Sequence, residues 1–109
     1  MTLTDIENIL QATGYPVAYS HFVSSTNNPP PTPPFITYLV PYSYNFFADN
    51  KVYKKNDALQ IELYTKKKDL TVEKNLEDLL DTNEIAYDYT EVWIDSEKLF
   101  QKIYEMRLI

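Results

Sequence analysis

The sequence predicts an α+β fold: an antiparallel sheet of four to five strands with two helices packed on one face, in the order α-β-β-β-α-β-β. Three observations carry this. Apolar residues recur at three- and four-residue spacing near the N-terminus and again between residues 71 and 82, which is the spacing of a helix. Between and after these stretches, aromatic and β-branched residues alternate with polar ones, which is the spacing of a strand. With 109 residues the chain has room for one domain, residues 1–109, and one modest core that both kinds of element must share. Strands in runs, rather than in strict alternation with helices, put the helices on one face of an antiparallel sheet.

The first helix is expected from Thr4 to Thr13. Thr4 and Glu7 have the spacing of a capping box, in which each side chain meets the other residue's amide. Leu3, Ile6, Leu10 and Thr13 form one stripe, Gly14 suits the left-handed residue that ends a helix, and Pro16 prevents continuation. A short strand is expected over residues 17–22, with His21 near its end. Residues 23–34 then read as an exposed loop closing in a polyproline II stretch, because Ser24 to Pro34 holds no apolar residue besides proline. Such a loop suits a PxxP ligand, through Pro30 and Pro33 or Pro31 and Pro34, or a stiff arm lying on a neighbouring subunit. No basic residue flanks it, and Arg107 is the chain's single arginine, which favours the arm.

Ile36, Tyr38, Val40, Tyr42, Tyr44 and Phe46 alternate with polar positions and predict one strand over residues 35–47, with an edge or a bulge at Pro41. Ala48-Asp49-Asn50-Lys51 is turn chemistry, and Val52-Tyr53 begins a second strand. Leu59, Ile61 and Leu63 define a third, completing a three-stranded meander. The second helix is expected to start at Thr71 as N-cap and run to about Thr82, burying Val72, Leu76, Leu79 and Leu80 and turning Glu73, Glu77, Asp78 and Asp81 to solvent. Residues 85–94 and 99–108 form a closing hairpin around Asp95-Ser96-Glu97, with Phe100, Tyr104, Met106 and Leu108 on one face.

Composition removes most chemistry. The absence of cysteine excludes disulfides and thiolate metal sites, and a single glycine excludes the P-loop and the dinucleotide turn. His21 is the only histidine and has no partner at a metal-site or triad spacing. Glu77 and Asp81, one helical turn apart, suit a solvated face rather than a two-carboxylate cleft. No catalytic, cofactor-binding or metal-binding residue is expected, and neither is an enzyme. A net charge of −6 argues against a phosphate-gripping surface. The first residues lack a basic region and no apolar run approaches the roughly 20 residues of a membrane span, so a cytoplasmic protein without membrane contact is expected.

Charge is segregated along the chain. Lys51, Lys54, Lys55, Lys66, Lys67 and Lys68 fall within 18 residues, whereas residues 69–97 hold ten acidic groups and Lys74 alone in opposition. Opposed surfaces of this kind suit head-to-tail contact between copies, and lysines also serve to solvate hairpin ends and blunt sheet edges. Ten tyrosines exceed what one small core needs, and tyrosine is enriched at interfaces.

Phe46-Phe47-Ala48-Asp49-Asn50-Lys51-Val52-Tyr53, Ile61 to Asp69, the helix with Glu73, Glu77 and Leu80, and the closing Ser96 to Met106 together resemble the tail terminator family of siphophages and prophages, also called tail completion or head–tail joining proteins. The resemblance covers residues 35–109, and the N-terminal helix agrees in placement. It implies a structural subunit that forms a ring, commonly a hexamer, on the last ring of the tail tube. Its implied partners are itself, the major tail tube protein and the head connector or head-completion protein, with DNA passing through the lumen without specific binding. Implied locations are the virion neck and, before assembly, the host cytoplasm. Two other classes fit the composition: a monomeric acidic inhibitor, such as an immunity or DNA-mimic protein presenting residues 69–97, and a PxxP-bearing adaptor. For the ring, the expected contact residues are Tyr42, Tyr44, Phe46 and Phe47 on the aromatic hairpin and Lys66 and Lys67 on a lysine-bearing turn. Charge reversal at Lys66 and Lys67 is expected to leave the fold intact and impair assembly; normal tail length and head joining in that variant would contradict it.

Overall fold

The computed structural model describes residues 1–27 and 29–108, with the backbone alone at Val52, Tyr53 and Lys54. Asn28, within the expected loop of residues 23–34, and the side chain of Lys54, named above among the lysines, lie outside the described residues. The elements are α1 (Leu3–Gln11), β1 (Val17–Tyr19), β2 (Phe35–Leu39), β3 (Phe46–Ala48), β4 (Lys51–Lys54), β5 (Asp57–Thr65), α2 (Leu70–Thr82), β6 (Asp88–Ile94) and β7 (Leu99–Leu108). This is the α+β architecture that the sequence predicts, with a five-stranded sheet in the order β1-β2-β5-β7-β6 and a two-stranded β3-β4 sheet.

Both helices cover the same sheet face. Ile36 lies opposite Leu63, Ile61 opposite Tyr104 and Leu59 opposite Met106, and all of these join Ile6, Leu10, Val72, Leu76 and Leu80 in one core. Ile6, Leu10, Leu76 and Leu80 are each at or below 1% exposed, so the three- and four-residue spacing is answered by burial in both helices.

Several boundaries differ from expectation, each for a local reason. The first helix is capped by Thr2, not Thr4: the Asp5 amide donates to Thr2 Oγ1 at 3.2 Å and the Thr2 amide donates to Asp5 Oδ2 at 2.8 Å. Threonine and an acid recur two residues apart here, so Thr2–Asp5 and Thr4–Glu7 are competing registers of one motif. Gly14 takes the left-handed φ of +84° as expected. The second helix is capped by Asp69, whose carboxylate accepts from the Val72 amide at 3.2 Å, and Thr71 falls inside the first turn. The first strand stops at Tyr19 because Ser20 turns at φ +66°, which leaves His21 outside it and exposed. That strand pairs parallel to β2, so the sheet is mixed rather than wholly antiparallel. The last hairpin begins its pairing at Asp88 rather than residue 85.

The largest departure concerns residues 35–57. They form neither one straight strand nor a meander within a single sheet, but one bent ribbon. Phe35–Leu39 pairs with Gln60–Tyr64, and a Ser43–Asp57 bridge follows with one extra residue on the 40–42 side, a bulge at Pro41. The ribbon then runs on as β3 and β4 to a tight turn in which Asp49 and Asn50 are both left-handed, at φ +51° and +63°. Two left-handed central residues make the two-residue hairpin turn that suits strand twist.

Because only Thr2 meets the first free amides, Thr2→Ala is expected to cost about 1 kcal/mol of stability and Thr4→Ala a few tenths at most. Urea unfolding of both variants checks this, and a larger loss in Thr4→Ala would contradict the assigned cap.

Candidate functional surfaces

Two surfaces and one buried cluster stand out beyond the core. The first is the ribbon tip. Its base is tied to β5: the Ala58 amide donates to the Tyr42 carbonyl at 3.0 Å, the Tyr44 amide to the Asn56 carbonyl at 2.9 Å, and the Asn56 amide to Asn45 Oδ1 at 2.9 Å. Arg107 lies over the Tyr44 ring, its guanidinium carbon 5.3 Å from the ring centre, so Tyr44 is half-buried. Tyr42, Phe46 and Phe47 are 63%, 59% and 68% exposed. Three large apolar side chains of this one ribbon thus face solvent.

The second surface lies at the opposite end of the sheet. Phe35 pairs with Tyr64 in register, Thr65 with Phe100, and Trp93 with Phe100, so the N-terminal end of β2 and the C-terminal ends of β5 and β6 meet there. Phe35 stacks on Tyr64 at 4.9 Å between ring centres and Phe22 meets Phe35 edge-on at 5.5 Å. A groove of about 510 Å³ runs here between Pro30, Pro31 and Phe35 on one side and Lys66, Trp93 and Leu99 on the other. The proline-rich arm thus lines a groove of its own subunit. The expected contact residues are therefore split: Tyr42, Tyr44, Phe46 and Phe47 gather at the ribbon, whereas Lys66 and the exposed Lys67 stand at the far end. The lysine-rich segment is not one surface, since Lys51 and Lys55 belong to the ribbon end and Lys66 to Lys68 to the groove end.

The buried cluster was not legible as a site. Lys102 sits in the apolar stripe of β7, its side chain 9% exposed, between Phe100 and Tyr104. Its ammonium contacts Glu73 at 2.7 Å and Glu77 at 3.1 Å and lies 4.0 Å from the centre of the Tyr89 ring. Tyr104 donates to Glu77 at 2.8 Å, and Lys68 bridges Glu73 and Glu91, each at 2.9 Å. Glu73 and Glu77 are thus turned inward rather than onto the solvated face expected of them. Burial opposes the charge on Lys102, but the hydrogen bonds it donates to Glu73 and Glu77, and their negative charges, outweigh it and hold the ammonium above its ordinary value. Burial likewise opposes the Glu73 carboxylate, and Lys102 with Lys68 outweighs it, so Glu73 lies below its ordinary value. A lysine held more basic is no nucleophile. The cluster is an ion-pair network joining α2 to β6 and β7.

Among the described residues, five of the ten carboxylates of residues 69–97 have a lysine partner: Glu73, Glu77, Asp78, Glu91 and Asp95. This neutralisation leaves the acidic segment poorly suited to imitate a phosphate backbone. Among the described residues, no group of three or more His, Cys, Asp or Glu is arranged to hold a metal, and no helix is long and apolar enough to cross a membrane. Comparison of the chain with protein-family models, with curated proteins and with solved structures finds no match.

The two limbs of the pH profile follow from the directions above. Glu73 is more acidic when folded, so its contribution is complete above 4.5 and is lost as pH falls through its lowered native value. Lys102 is more basic when folded, so its contribution is complete below 10.5 and is lost as pH rises through its raised native value. Urea midpoints are expected to fall on the acid side in the natural protein and to fall less in Glu73→Gln. Lys102→Met leaves Glu73 with Lys68 alone and Glu77 without a cation, and is expected to cost up to about 3 kcal/mol at neutral pH, with a smaller loss in the Lys102→Met/Glu73→Gln double variant. An acid limb of equal size in Glu73→Gln would contradict the network.

Proposed function

We propose that this chain is a structural subunit of the siphophage head–tail interface, forming a hexameric ring that terminates the tail tube and joins it to the head connector.

 The observation that carries this reading is the projecting ribbon, whose tip exposes Phe46 and Phe47 together with Tyr42 at its base. An isolated two-stranded hairpin is at best marginally stable in water, so an aromatic tip beyond the main sheet suits an element that packs on another chain. The resemblance of residues 35–109 to tail terminators supports the same reading, and so does the net charge of −6, which suits a lumen that DNA must slide through without being held. Its partners in this role are further copies of itself, the major tail tube protein and the head connector or head-completion protein. The protein would reside in the host cytoplasm until assembly and in the virion neck thereafter.

The test uses purified protein and tail tubes. Negative-stain images of the natural protein, at high concentration or on tubes, are expected to contain rings. In Phe46→Ser/Phe47→Ser, whose changes fall on exposed positions and leave stability within about 0.5 kcal/mol per site, ring formation and tube termination are expected to be lost. A natural protein that stays monomeric at high concentration and never caps a tube would contradict the reading.

A further inference from the structure

We propose that copies of this chain join head to tail, with the ribbon tip of one copy seated in the groove formed by Pro30, Pro31, Phe35, Lys66, Trp93 and Leu99 of the next. The inference rests on the reading that copies assemble, and adds which two surfaces meet.

Three observations point to this pairing. The register places the two features at opposite ends of one sheet: Asp57 pairs with Leu108 at the ribbon end, and Thr65 with Phe100 at the groove end. A projection at one end and a recess at the other make a heterologous contact, which repeats from copy to copy and closes a ring where the rotation allows. Chemistry matches as well. The tip carries Phe46 and Phe47, and the groove is lined by proline rings, Phe35, Leu99 and the 44%-exposed Trp93, so apolar surface meets apolar surface. Around both, the charges are complementary in both senses. Asp49 and Lys51 flank the tip and Lys66 and Glu97 flank the groove, and among the described residues no ion pair within the chain engages any of the four. Asp49 facing Lys66 and Lys51 facing Glu97 satisfies all of them at once.

Size decides how strong such a contact is. Phe46 and Phe47 are 59% and 68% exposed, so burying both removes about 200–300 Å² from water, and with the matching groove surface the total is roughly twice that. This is below the ~1,200 Å² where stable specific interfaces begin. One contact alone is therefore weak, and free subunits stay largely monomeric at low concentration. A closed ring adds a final contact that forms intramolecularly, which raises the stability of the whole without any new surface.

The natural chain contains no cysteine, so introduced thiols report without background. Lys51→Cys places a thiol beside the tip and Lys66→Cys one at the groove, both on exposed positions. At a concentration where light scattering registers self-association of the natural protein, an equal mixture treated with a short bismaleimide is expected to give a covalent dimer. Either variant alone is expected to give little. Adding Phe46→Ser/Phe47→Ser to the Lys51→Cys partner is expected to lower the dimer yield at least about tenfold, the loss of two aromatic anchors. Cross-linking of Lys51→Cys alone as efficient as the mixture would mean tip-to-tip contact and overturn the proposal. Self-association without cross-linking of the mixture would overturn it while leaving a ring built through other surfaces. A natural protein that does not self-associate at any concentration or on tubes would overturn both.

Discussion

The antiparallel register between β5 and β7 is the constraint on which the rest of the molecule depends. It runs without interruption from Asp57 opposite Leu108 to Thr65 opposite Phe100. Because side chains alternate across a strand, this one alignment puts Leu59, Ile61, Leu63, Tyr104 and Met106 beneath the helices. A slip of one residue would turn one strand's set outward and leave the helices nothing to cover. The other strands take their places from this pair, β2 and β1 beyond β5 and β6 beyond β7. The same alignment sets where pairing stops. Past Asp57 the ribbon has no β7 beside it and projects as two strands, and past Thr65 the chain turns into α2. The base of the aromatic ribbon and the proline-lined groove are separated by the length of the β5–β7 pairing, about 30 Å for nine residues.

The ion-pair network fixes the helix layer over that sheet. Lys102 occupies an inward position on β7 next to the core residue Tyr104, and it is tolerable there only because Glu73 and Glu77 come down from α2 to meet it. Moving α2 by a turn would leave buried charges unpaired, at a cost of several kcal/mol. Apolar contacts between Leu76, Leu80 and the sheet are less particular about position. The charges thus select one placement of the helix, while burial supplies most of the attraction.

How much of this was legible in the sequence varies with the range of the interaction concerned. The helices and their buried stripes follow from local spacing, and Ile6, Leu10, Leu76 and Leu80 lie where that spacing puts them. The first cap lies two residues before the one expected because Thr2–Asp5 and Thr4–Glu7 carry the same signal, and only the position of the helix on the sheet separates them. The parallel pairing of β1 with β2 depends on where the loop of residues 20–34 returns, which no local pattern encodes. Pro41 did announce the bulge, but the continuation of the ribbon beyond the sheet depends on where β7 ends. The buried cluster was hidden by residue type, since lysine and glutamate are expected outside. Its one local sign is Lys102 at an even position among Phe100, Tyr104, Met106 and Leu108, with Glu73 and Glu77 one turn apart on a helix that must lie above them. The expected contact residues were legible as exposed aromatics and lysines, but not their division between two ends, which is a property of the register.

That division turns a search for one interface into a claim about two complementary ones. Sedimentation of mixed variants tests it most directly. One variant keeps the groove and loses the tip through Phe46→Ser/Phe47→Ser; the other keeps the tip and has the groove rim reversed through Lys66→Glu and Glu97→Lys. Mixed in equal amounts, they retain one working tip and one working groove between them. The account predicts a one-to-one heterodimer that grows no further, while each variant alone stays monomeric and the natural protein continues to higher oligomers. Growth of the mixture beyond two subunits, or self-association of either variant alone comparable to that of the natural protein, would contradict it.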